Sequence, residues 1–114
     1  MKTYELKDDS GNLHAFEIPH MFFSSNGIAR FIARCKGCEI VKIRRFFSRE
    51  EEHVFFKFQG NEFVVWEPFG DNSRLYIGFV DSNKNDSPTV IKLIEAVKLT
   101  PRFGIFKFFK PENL

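Results

Sequence analysis

The chain has 114 residues, of which 43% are hydrophobic and 28% charged, and a net charge of +2. These values fit one globular domain that buries roughly two thirds of its unfolded surface. The charge is too small to single out nucleic acid or a membrane surface as the partner. No run approaches the ~18 apolar residues of a membrane span, the charged, alternating start of the chain has no signal-peptide core, and two cysteines suit a reducing cytoplasm.

Sixteen phenylalanines, many in pairs or alternating runs such as Phe55-Phe56-Lys57-Phe58, suit a pleated, half-buried surface and predict a sheet packed on something. Residues 2–7 alternate, with Tyr4 and Leu6 on one face, and the turn cluster Asp8-Asp9-Ser10-Gly11-Asn12 leads into a second strand over 13–18. Ser24 or Ser25 caps a helix that runs to about Lys36 and buries Ile28, Phe31, Ile32 and Cys35 at one-face spacing. Four strands follow as a meander over residues 40–47, 53–59, 62–67 and 74–80. In the first of them Val41, Ile43 and Phe47 are expected inward, and Gly60-Asn61 is the expected tight connection between the second and third. Asp86 or Ser87 caps a second helix whose apolar stripe is Val90, Ile91, Leu93, Ile94 and Val97, and residues 105–109 read as a last strand. The expectation is one α+β domain over residues 1–114. It has a mostly antiparallel sheet of about six or seven strands and two helices packed on one face.

Chemical motifs are sparse. Cys35-Lys36-Gly37-Cys38 is a CxxC, but its first cysteine falls at the C-terminal end of a helix, where the dipole raises a thiol pKa. Zinc would need further ligands, and no second CxxC or paired histidines accompany it, so no metal and no cofactor is assigned. His14, His20 and His53 lie on separate segments. His53 beside Glu50, Glu51 and Glu52 is the one candidate for a general base, although such a residue is more often a solvated strand start after a charged turn. No catalytic residue is assigned, and the chain reads as a non-catalytic protein. Lys42, Arg44, Phe46 and Arg49 interleave cations with aromatics, a pattern that can hold single-stranded nucleic acid; this is the alternative reading.

The most distinctive stretch runs from Phe63 to Ile77 and holds the only tryptophan. Trp66 alternates away from Phe63 and Val65, and Tyr76 away from Leu75 and Ile77. If those strands pair, the two aromatics lie together on the outer face. A Trp, Tyr and Arg group is the composition of an interface hot spot. The competing expectation is a second small core.

The pattern Trp66-Glu67-Pro68, then Gly70-Asp71-Asn72-Ser73-Arg74, then Tyr76-Ile77, together with the size of the chain and its lack of catalytic motifs, resembles the immunity proteins that neutralise bacterial toxins, including those of contact-dependent growth inhibition systems. That resemblance implies a cytoplasmic protein that binds one toxin domain tightly and blocks its active site. The expected contacts are Trp66, Glu67, Asp71, Arg74 and Tyr76, with Glu50, Glu51 and Glu52 as a second, acidic patch.

Overall fold

A computed structural model describes residues 1–20, 24–43, 52–67 and 74–101. Among the described residues six strands form one antiparallel sheet: β1 (Tyr4–Lys7), β2 (Leu13–Pro19), β3 (Cys38–Ile43), β4 (Glu52–Phe58), β5 (Asn61–Trp66) and β6 (Arg74–Phe79). Helix α1 (Ser25–Arg34) lies between β2 and β3 in the chain, and α2 (Ser87–Lys98) follows β6. The order across the sheet is β1-β2-β6-β5-β4-β3. The N-terminal hairpin therefore docks through β2 onto β6, the last strand of the meander. This is the expected α+β architecture.

One face of the sheet carries the core. Phe16, Ile18, Val54, Phe56, Phe63, Val65, Leu75 and Ile77 are sealed from solvent against Ile28, Phe31 and Ile32 of α1 and Val90, Leu93 and Val97 of α2. Phe63 is at its centre, with ring centroids 5.5 Å from Phe56, 4.5 Å from Phe79 and 6.4 Å from Phe58. Ile91 departs from the expected stripe and is exposed, because it sits one residue, about 100°, round the helix from the buried Val90.

The first hairpin turns as its residues imply. One carboxylate oxygen of Asp8 accepts the backbone N–H groups of Ser10 and Asn12, both at 2.9 Å. In the β4–β5 hairpin the two-residue loop is Gln59-Gly60, one position earlier than expected, with φ of 50° and 76°. Both central residues at positive φ define a type I′ turn, whose twist matches the flanking strands, and the glycine takes that conformation without strain.

Besides a register shift at Leu6/Lys7 in the β1–β2 pairing, two bulges reset the expected alternation. Val41 was expected inward and is 54% exposed. Pairing steps from Ile40↔Phe56 to Lys42↔Phe55, so Val41 is the extra residue of a bulge, and Ile40 and Ile43 take the inner positions. A second bulge steps from Glu52↔Trp66 to Val54↔Val65 and makes His53 the extra residue. His53 and Val54 are consequently both buried, which strict alternation forbids. Residues 44–47, Arg49 and the expected strand over 105–109 lie outside the described residues.

Asp86 caps α2: its carboxylate accepts the backbone N–H of Thr89 at 3.2 Å and the Thr89 hydroxyl at 2.7 Å. The hydroxyl bond, then the backbone bond, holds its carboxyl below the ordinary carboxylate value. A depressed folded pKa means stability that is present above the unfolded value and lost as pH falls through the folded one. Asp86→Ala is therefore expected to lower the urea midpoint at neutral pH, and the difference from wild type should fade in strongly acidic buffer. A difference that stays constant with pH would show that the charge on Asp86 contributes nothing.

Candidate functional site

Two groups of side chains stand out, one on each face of the sheet. On the face away from the helices, the register sets Tyr4, Glu17, Tyr76, Trp66 and Glu52 in one row across five strands. Trp66 and Tyr76 are direct partners on β5 and β6, with their rings edge to face at 5.6 Å. Both are half-buried, and burial pushes the Tyr76 phenol pKa up. Arg74, one residue before the core position Leu75, lays its guanidinium over the Tyr4 ring at 3.5 Å and donates to Glu17 at 3.3 Å. The structure thus brings Trp66, Tyr76, Arg74 and the backbone of Glu52 to one face. It places Glu67 on the other, because Glu67 follows Trp66 in the alternation. Glu50, Glu51 and Asp71 lie outside the described residues.

Gly78 explains how Tyr76 lies along that face. A Cβ at position 78 would come within 2.7 Å of the Tyr76 hydroxyl and 2.8–2.9 Å of its ring carbons. The empty side-chain position is the slot that the ring fills. Gly78→Ala is expected to push the ring out and part it from Trp66, at about 1–3 kcal/mol of stability. A change in Trp66 fluorescence between the two proteins would report the displacement, and identical spectra would show that the slot is not needed.

The second group lies on the helix side, where β2 and β5 end and β4 and α1 begin. The tandem serines divide two tasks. Ser24 caps α1 by accepting the Gly27 N–H at 3.2 Å, while Ser25, in the first turn, is buried with its hydroxyl 2.8 Å from Nδ1 of His53. The other nitrogen of His53, Nε2, is 3.0 Å from Oε1 of Glu67. That same oxygen is 3.2 Å from Nε2 of His20, which alternates inward after Ile18 and Pro19. The two imidazoles meet edge to face at 6.0 Å. Side-chain exposures of 5% for His53, 13% for His20 and 15% for Glu67 place the cluster just below the surface. Glu67 accepts from both rings, so each donates its Nε2–H, and Nδ1 of His53 can then accept the Ser25 hydroxyl proton.

A carboxylate partner of His53 is thus Glu67, fourteen positions on in sequence, rather than the adjacent acidic run that first suggested one. Sequence spacing did not reveal the group because its members come from the ends of three strands and one helix. The one local cue was positional: His20 and Glu67 each occupy the next inward position beyond a strand. Ser25–His53–Glu67 has the order of a nucleophilic relay, but Ser25 is only 7% exposed, so its hydroxyl is poorly placed to meet a substrate.

Cys35 ends α1 and is buried, and Cys38 opens β3; both are free thiols. The helix end was expected to raise the Cys35 pKa, yet a hydrogen bond from Cys38 lowers it, outweighing the effect of burial. The same pairing, with desolvation, raises Cys38 far above the ordinary thiol range. The pair sits away from the histidine cluster, at the other end of α1.

Compared with known proteins, the chain matches no family model, no curated protein and no solved structure. Among the described residues no helix is long and apolar enough to cross a membrane.

Proposed function

We propose that this chain is a non-catalytic protein-binding module that works through the face opposite its helices. The observation that carries this reading is the row Tyr4, Glu17, Tyr76, Trp66 and Glu52, flanked by Arg74. Large rings with polar tips, set on a hydrogen-bonded sheet, give contact area with little side-chain entropy to lose, which favours tight association. Arg74 is held by Tyr4 and Glu17 before any partner arrives.

Within that class the proposed role is immunity: in the cytoplasm, the module binds a cognate bacterial toxin domain and covers its active site. The resemblance of the Trp66-to-Ile77 stretch to toxin-immunity proteins supports this assignment.

Affinity capture from the source cells, with and without nuclease, tests the proposal. One stoichiometric protein surviving nuclease is the expected result, and Trp66→Ala should weaken its affinity by about 2 kcal/mol, roughly 30-fold. Unchanged affinity in that variant removes the site assignment. If nucleic acid is recovered and protein lost on nuclease treatment, the reading passes to single-stranded nucleic-acid binding through Lys42, Arg44, Phe46 and Arg49.

A further inference from the structure

We infer that His20, His53 and Glu67 form a binding site for a divalent transition-metal ion, with zinc as the fitting occupant and Ser25 as the residue that orients His53. Three side chains from three strand ends converge, and one ligand atom from each, an imidazole nitrogen or a carboxylate oxygen, lies within 4.8 Å of the other two. Two of them bear on a single oxygen, at 3.0 and 3.2 Å. Ligands held at ~2.0–2.1 Å around a tetrahedral zinc are about 3.3 Å apart, so these two separations already match the edge of the coordination polyhedron. The two imidazoles need to close by no more than the difference between 4.8 Å and that edge, about 1.5 Å, which small ring rotations provide, above all at His20, beyond the end of β2.

The surroundings also suit an ion. A metal-ligating imidazole needs its second nitrogen held by an oxygen, and Ser25 supplies that oxygen at 2.8 Å from Nδ1. A hydroxyl both donates and accepts, so Ser25 can satisfy His53 in either tautomer. Without metal, Nε2–H donates to Glu67 and Nδ1 accepts from Ser25. With metal, Nδ1–H donates to Ser25 and the Nε2 lone pair is released to the ion. Two imidazoles and one carboxylate select a borderline ion over magnesium or calcium, which require more oxygen ligands. The partial exposure of His20 and Glu67 leaves room for water in the fourth position. The site is on the helix side of the sheet, so it stands or falls independently of the proposed binding face.

The test uses the full chain without a polyhistidine tag, titrated with cobalt(II) and zinc(II) chloride in metal-free buffer. One equivalent of cobalt should bind with a tetrahedral visible spectrum and no thiolate charge-transfer band, and zinc should displace it. Zinc should also raise Tm. Glu67→Gln keeps an acceptor for the histidines but loses the anionic ligand, and should weaken binding at least ~100-fold; Ser25→Ala should weaken it by about 10–100-fold. His14→Gln, remote from the cluster, should bind as wild type does. Should Glu67→Gln fail to fold, His20→Gln removes a ligand nearer the surface. No saturable binding, unchanged affinity in the ligand variants, or a thiolate band placing the ion at Cys35 and Cys38 would each overturn the assignment.

Discussion

Replacing Phe63 with alanine is expected to destabilise the fold by about 3–5 kcal/mol, among the largest effects expected at the described residues. Phe63 is inaccessible to solvent and its ring contacts three others, Phe56, Phe58 and Phe79. Truncation removes the transfer free energy of the ring and leaves a void bounded by rigid groups, which collapse poorly. All four rings come from the three adjacent central strands β4, β5 and β6 and are fixed by backbone pairing, so relaxation would disturb the sheet itself. At roughly 4–5 °C per kcal/mol for a domain of this size, Tm should fall by at least ~12 °C. Phe55→Ala is the control, because Phe55 is half-buried on the opposite face and should cost less than ~2 kcal/mol. Equal losses in the two variants would show that the core is less closely packed than its ring geometry implies.

The second large effect is expected at His53. His53→Ala removes a ring that is 95% hidden and linked at both nitrogens, leaving Ser25 and Glu67 without one partner each. Breaking such a network from the middle costs about 2–4 kcal/mol, below the value for a fully buried ion pair because Glu67 still reaches water. Urea denaturation of wild type, His53→Ala and Glu67→Gln separates the contributions. Glu67→Gln should be milder, since an amide oxygen can still accept one imidazole N–H. A loss below ~1 kcal/mol in His53→Ala would mean that water replaces the ring.

The α+β class, the helix caps and most core positions were legible in the sequence, because each depends on a short local pattern. Ile28, Phe31, Ile32 and Cys35 share a helix face whatever lies around them, and Phe16, Ile18, Phe56 and Phe63 alternate as their strands require. Two of the failures share an origin. Val41 and His53 occupy bulges, and a bulge depends on the partner strand, so alternation alone mispredicts both. The Trp66–Tyr76 pair could be anticipated because one hairpin-like connection joins their strands. The His20–Glu67 contact could not, since it joins β2 to β5 across β6 and no local pattern encodes that strand order.

That strand order also bears on how the chain folds. Every described strand pairs with its neighbour in sequence except at one seam, β2 against β6. The β1–β2 hairpin and the β3–β6 meander can each form through short loops, whereas the seam must close a loop of more than fifty residues, as the Glu17–Arg74 separation of 57 shows. Its closure is the slow step expected of a long-range pairing, and amide exchange along β2 should report its opening at a lower free energy than global unfolding. Two of the polar contacts described above span this seam: Arg74 to Glu17 on one face and His20 to Glu67 on the other. The residues proposed for recognition and for metal binding would thus also act as latches on the last part of the sheet to assemble.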